Sequence, residues 1–174
     1  MEPPFVFSRE STIRIDVDGR VWHDGERIEN PRLAESLAGW IAWDDASGRW
    51  ILKNAMSWCY VTLDGTPLVV RSARVLEGEA AVQVDRSDGA RERVPLERLR
   101  VDPEGAVYAY VRGGELLARF DRAAAFAVLD RADLDAEGLF LDVNDVRVPL
   151  MGIDSGAVPP YRLDPSQDPV PPSR

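Results

Sequence analysis

The side chains with the most chemical potential lie in one stretch near the start of the chain, IRIDVDGRVWHDG at positions 13 to 25. It holds the single histidine, His23, beside Asp24 and close to Asp16 and Asp18. An imidazole among carboxylates can move protons near neutral pH or ligate a metal. A zinc site needs three or four donors, and with one histidine and one cysteine the rest would have to be carboxylates brought in by folding. Cys59, His23 and an acid such as Asp24 would make a nucleophilic triad only if tertiary structure assembled them, because no local signature surrounds the cysteine. The competing explanation is turn chemistry, since Asp18-Gly19 and Asp24-Gly25 both favour two-residue hairpin turns. It is preferred, and no catalytic or metal-binding residue is assigned.

A second acidic stretch, Asp133, Asp135, Glu137 and Gly138, matches the opening of a calcium-binding EF-hand loop, with oxygen ligands at alternate positions before a glycine turn. The closing bidentate glutamate would fall at position 144, which is Asn144, and strand-like LFLDV follows where a helix should begin. A solvated helix-to-strand turn is therefore favoured over calcium. Phosphate-binding and acyl-transfer signatures are absent: Lys53 follows no glycine-rich loop, and Ser155 sits in GIDSG without nucleophile-elbow spacing. Arg91, Arg93, Arg98 and Arg100 are interleaved with Glu92, Glu97 and Asp102, which reads as a salt-bridged strand surface.

The elements that would position these groups are mostly strands. Ile13, Ile15 and Val17 alternate with polar residues, Asp18-Gly19 turns the chain, and residues 20 to 23 return. Asn30-Pro31 supplies an N-cap and a first-turn proline, and Leu33, Leu37, Trp40 and Ile41 share one face, so a helix is expected over roughly 31 to 43. Strands follow in RWILK, SWCYVTL, PLVVR, AAVQV and RERVPL, and Asp121 can cap a second helix in RAAAFAVLDR.

The pattern then repeats. IRIDVDGRVW at 13 to 22 aligns with LRVDPEGAVY at 99 to 108, an offset of 86 that also brings Trp22 to Tyr108 and Trp40 to Phe126. The expected fold is α+β, built from two degenerate β-rich repeats, each strand-turn-strand, helix, strand-strand, packed as one compact protein. The expected bounds are a loose segment over 1 to 9, a first lobe over 10 to 90, a second over 91 to 152, and a proline-rich tail over 153 to 174. All five tryptophans lie between 22 and 58. Trp22, Trp40 and Trp50 have aromatic counterparts in the second copy, as core residues would, whereas Trp43 and Trp58 have none. His23 and Asp24 likewise give way to Ala109 and Tyr110. His23, Asp24, Trp43 and Trp58 are thus the candidate ligand-binding residues.

Composition limits the partners. Of 174 residues, 21 are basic and 30 acidic, for a net charge of -9, which disfavours nucleic acid and anionic lipid. The lone cysteine, the absence of a long apolar run and a start lacking signal-peptide features point to a cytoplasmic protein. No cofactor is implied, and exposed strand edges leave a homo-oligomer open.

FSRESTIRIDVDGRVWHDGERIENPRL, then DDASGRWIL with VTLDGTPLVV, then GGELLARFDRAAAF leading to VRVPLMG, together resemble the bacterial domain of unknown function 1285 family over roughly residues 7 to 152. The resemblance implies a fold of repeated β-rich motifs with helices. A role in signal transduction has been suggested for that family, and no activity, substrate or catalytic residue can be carried over from it. The expected function is a non-enzymatic, regulatory binding module for a protein partner or small ligand. The alternative is an enzyme or metal-dependent protein using His23 and nearby carboxylates.

Overall fold

Short apolar alternations punctuated by Asp-Gly turns give short strands, and that is what the chain builds. The computed structural model describes residues 8–153. The chain divides into two compact units between Pro67 and Leu68. Among the described residues the fold is mixed α+β, dominated by strands, with two α-helices. Neither helix is long and apolar enough to cross a membrane.

In the first unit, β1 (Arg14–Ile15), β2 (Val21–His23) and β3 (Glu26–Arg27) form a meander. Helix α1 (Pro31–Gly39) follows, with the Asn30 side chain accepting from Arg32 N and Leu33 N. A second meander contains β4 (Ile41–Asp44), β5 (Arg49–Lys53) and β6 (Trp58–Tyr60). The chain then returns as β7 (Thr62–Leu63), parallel to β1. The helix is shorter than its spacing predicts, because Ile41 and Trp43 are better used in the ladder with Leu52 and Trp50 than in a last helical turn. The expected strand through 57 to 63 is interrupted at Val61, whose N–H donates to Trp50 O.

In the second unit, β8 (Leu68–Leu76), β9 (Ala81–Arg86) and β10 (Arg91–Pro95) lead into β11 (Leu99–Val101), β12 (Val107–Val111) and β13 (Leu116–Phe120). Helix α2 (Arg122–Leu129), capped by Asp121, precedes a hairpin meander of β14 (Asp133–Asp135), β15 (Gly138–Val143) and β16 (Val146–Pro149). Finally β17 (Met151–Gly152) pairs parallel to β11, completing a seven-stranded order β10-β9-β8-β13-β12-β11-β17. Residues 68 to 86, expected in the first lobe, are thus hydrogen-bonded into the sheet of the second unit. The loose segment expected over 1 to 9 and the proline-rich tail expected over 153 to 174 lie outside the described residues except for residues 8, 9 and 153.

Each unit has its own core: Ile15, Val21, Ile41 and Leu52 in the first, and Leu68, Val70, Val82, Val94, Leu99 and Val107 in the second. Trp50 joins the first core, as expected. Trp40 and Phe126 do not fill cores, being 37% and 67% exposed. The helical face inferred from spacing ends at Leu37 and Ala38, and Trp40 is the C-cap.

The hairpins at Gly19 and Gly105 are held by carboxylates. Asp16 Oδ1 accepts from Asp18 N at 3.0 Å and Arg20 N at 2.9 Å, while Oδ2 accepts from Trp22 Nε1 at 2.9 Å. Asp102 Oδ1 accepts from Glu104 N at 3.0 Å and Ala106 N at 2.8 Å, while Oδ2 accepts from the Tyr108 hydroxyl at 3.1 Å. Removing either carboxylate strands three donors. Asp16→Ala and Asp102→Ala are each expected to lower the unfolding free energy by about 1–3 kcal/mol in urea denaturation. Asp18→Ala, which deletes only an exposed partner of Arg20, should change it by less than about 0.5 kcal/mol.

Candidate functional site

The sequence-derived candidates separate in the structure. His23 ends β2 and is exposed, with Nε2 3.6 Å from Asp24 Oδ2. Asp24 and Gly25 take φ of 50° and 79°, as a two-residue turn with both central residues left-handed requires. The Asp24 carboxylate is already engaged: Oδ1 accepts from Thr12 Oγ1 at 2.6 Å, and Asp24 N donates to the same hydroxyl at 3.1 Å. It therefore pins the segment entering β1 to the β2–β3 turn. Cys59 lies in the other sheet of this unit and is paired with Leu52.

Register places the two candidate tryptophans on opposite faces. Residues directly paired across an antiparallel ladder share a face, and neighbours along a strand alternate. Trp43 pairs with Trp50, so both share a face with Ile41, Leu52 and Cys59. Their rings meet edge to face with centroids 5.1 Å apart. Trp58 lies on the other face with Tyr60, whose ring is 5.2 Å away. No single pocket on this sheet can use both tryptophans.

The Trp58 face carries more than packing. The Arg9 guanidinium lies 4.7 Å from the Trp58 ring centroid, and that of Arg49 lies 3.6 Å from Tyr60. Arg49 is gripped in turn by Glu10 through two parallel bonds of 2.6 and 2.8 Å. This guanidinium, its charge and hydrogen bonds acting together, holds the Glu10 carboxyl below the usual carboxylate range. Arg9, Glu10, Arg49 and Tyr60 were not singled out from sequence. Arg49 is 39 residues from Glu10, and the signal that existed was the alternation of Trp58 and Tyr60 about Cys59.

A second charged constellation lies in the second unit. Arg86 contacts Asp88 through two bonds, of 3.0 and 2.8 Å, and pairs with Glu92. Arg112 Nη2 lies 3.5 Å from Asp88, and the Glu92 carboxylate accepts from Arg112 N at 3.0 Å and Gly113 N at 3.4 Å. Arg112, Gly113 and Gly114 all have positive φ, a run that is strained at the arginine. The carboxylates thus clasp the β9–β10 turn to the end of β12. The arginine-rich stretch does form surface pairs, Arg91 with Asp85 and Arg93 with Glu79, but Arg100 is 4% exposed and donates to the Glu97 and Leu99 carbonyls. Arg91 and Ser72 hold the Asp85 carboxyl at about 2.

The stretch at Asp133, Asp135 and Glu137 is a strand and a hairpin turn, where a helix-to-strand turn was expected. Asp135 accepts from Glu137 N and Gly138 N and pairs with Arg147, so its oxygens serve the turn and its partner strand. Among the described residues, no three acidic, histidine or cysteine side chains cluster as a metal would require. An open depression of about 470 Å³ lies over Val101, Asp102, Leu139, Leu150 and Ile153, and the Asp102 carboxylate beneath it is fully engaged in its hairpin.

No protein-family model and no curated protein matches the sequence. Solved structures do. A DUF1285 family protein from Silicibacter pomeroyi DSS-3 superposes with a TM-score of 0.66 at 21% identity, over 82% of this chain and 80% of that one. The chain has the fold of the DUF1285 proteins. A second member, from Shewanella baltica OS155, gives a TM-score of 0.58 at 17% identity over 71% of this chain and 94% of that one. The DUF1285 resemblance read from the sequence motifs is thus borne out in the fold, over a similar share of the chain.

The clasp is expected to make the second unit acid-sensitive. Burial opposes ionisation of Asp88, yet bonds and charge from Arg86 and Arg112 overcome it and hold its pKa below the ordinary 3.8. A carboxyl depressed in the folded state stabilises fully above its unfolded pKa and loses that contribution as pH falls through the folded value. Asp88→Asn should therefore cost about 3–5 kcal/mol at neutral pH, since two arginines lose a nearly buried partner. It should also flatten the decline of the urea midpoint from about pH 5 to about pH 2, measured by fluorescence.

Proposed function

We propose that this protein is a non-enzymatic, cytoplasmic binding module that acts in regulation by holding a protein partner. The observation that carries this reading is the rack on β6, where Trp58 and Tyr60 lie beneath two guanidiniums, one of them bound to a carboxylate. Aromatic rings and arginines at a sheet edge are the side chains that anchor protein interfaces, because they supply large contact area with directed polar bonds. Trp58 supports this role and Trp43 does not, its ring being turned to Trp50 on the other face. The enzymatic alternative built on His23 has less support, since Asp24 serves Thr12 and Cys59 belongs to another sheet.

The same proposal includes an internal duplication. Asp16 and Asp102 make the same set of bonds at an offset of 86, to two backbone N–H groups and one aromatic side chain. The strand that enters each of these hairpins also pairs parallel with the last described strand of its unit, β1 with β7 and β11 with β17. In the second copy the nearest likeness is a single guanidinium, Arg147, which lies 3.6 Å from the Phe140 ring and pairs with Asp135, while β16 itself carries no aromatic residue. A duplicated scaffold with a specialised surface on one copy fits a binding role.

Affinity capture with the immobilised full chain tests this reading. Partners retained by the wild type and His23→Ala, but lost from both Trp58→Ala and Arg49→Ala with melting temperatures preserved, are expected. Partners lost only with His23→Ala, or turnover that disappears in that variant, would overturn it.

A further inference from the structure

The β6 rack has an occupant in the structure, and it is the chain's own N-terminal segment. Strand β6 is the edge of its sheet, so the backbone groups of Trp58 and Tyr60 on the outer side need partners from elsewhere. Tyr60 N donates to Arg9 O at 2.8 Å. Trp58 O is met by the Arg9 guanidinium at 3.0 Å, and Tyr60 O by the Ser11 hydroxyl at 2.5 Å. Side chains thus stand where a neighbouring strand would present N–H groups.

The reason is a slip in register. The segment runs parallel to β6 and β7, with Thr62 N donating to Ile13 O and Asp64 N to Ile15 O. Four residues separate Arg9 from Ile13 where two separate Tyr60 from Thr62, so the segment bulges off the ladder between them. Thr12, held by Asp24, is the point where the bulge rejoins the ladder. Arg9 and Glu10 are exposed and reach the same face only because the backbone there is not a regular strand.

We propose that the outer edge of β6 is a strand-addition site for an extended peptide, and that residues 9 to 11 are its displaceable occupant in cis. This rests on the binding-module reading and names its ligand class. The occupant shows the chemistry the site takes: a basic group over Trp58 and a carboxylate on Arg49. In a regular strand, side chains two apart share a face, so the peptide must carry a basic residue and then an acidic one two positions later, running parallel to β6. Such a strand offers backbone N–H groups to both Trp58 O and Tyr60 O, which the slipped segment does not.

Competition in cis sets the measurable effect. A short tether gives the attached segment an effective concentration on the order of millimolar, so weakening it should tighten a free peptide by about tenfold or more. The probe is a fluorescein-labelled heptapeptide, TVRTEVT, read by fluorescence anisotropy on the full chain. The Arg9→Ala, Glu10→Ala double variant should bind it about tenfold tighter than the wild type, and adding Arg49→Ala should reverse the gain. Arg49→Glu should prefer the probe with lysine in place of glutamate. Equal affinity of wild type and double variant, or binding indifferent to Arg49, overturns the proposal. Should the double variant not fold, saturating probe on the unmodified chain must move the Glu10 carboxyl titration up toward the ordinary range by NMR; an unmoved titration overturns it too. Partner capture that depends on Trp58 while the probe fails these tests removes strand addition and leaves the binding-module reading standing, and loss of both removes both.

Discussion

Every short strand ends in backbone N–H groups that its own ladder cannot satisfy, and this protein, made almost wholly of short strands, satisfies many of them with carboxylates. Unpaired amides that are shielded from water are costly, so each turn needs an acceptor placed nearby. Asp16 and Asp102 close the hairpins at Gly19 and Gly105, Asp44 accepts from Ser47 N, and Asp135 accepts from two amides of its turn. Asp88 accepts from Ala90 N, and Asp121 caps α2. The acidic composition is to that extent turn chemistry, and no catalytic cluster needs to be invoked for these residues.

Carboxylates committed to turns bring arginines with them, and the arginines link elements that no ladder joins. Glu92 and Asp88 tie the β9–β10 turn to the strained Arg112-Gly113 backbone after β12, two places not adjacent in the strand order. In the first unit Glu10 and Arg49 join the entering segment to β5. The two links differ in burial, and so in consequence. Arg86 and Asp88 are 10% and 4% exposed, so their pairing is part of the fold, whereas Arg49 and Glu10, at 46% and 63%, remain screened by water and exchangeable.

Local signals in the sequence were reliable where the deciding interaction is local. Asn30 and Asp121 cap the two helices as their spacing implied, and the hairpins at Gly19 and Gly105 form where an acidic residue stands directly before glycine. The helix over 31 to 43 was overextended, since Trp40 and Ile41 fit its apolar stripe and only the ladder with Leu52 shows that Ile41 belongs to a strand. Trp43 and Trp58 looked equivalent as tryptophans without counterparts, and the register of three strands divides them between opposite faces. The partners of the rack were illegible for the same reason: Arg9 lies 49 residues before Trp58 and Arg49 lies 11 before Tyr60, with no motif linking them.

The two long-range edges also show why β6 and β10 differ as surfaces. Strand β10, at one end of the seven-stranded order, carries Arg91 and Arg93 engaged with Asp85 and Glu79, and ends in Pro95, which has no N–H to offer. Charge and proline are the devices by which edge strands resist further pairing. Strand β6 has neither: its three residues are Trp58, Cys59 and Tyr60, and its outer backbone groups are met by a segment that has slipped off the ladder. An edge so composed needs a cover, and the chain supplies one that makes a single backbone bond where a regular strand would make more. That difference in pairing, set by the two extra residues between Arg9 and Ile13, is what makes the cover exchangeable while the β1–β7 ladder beside it stays fixed.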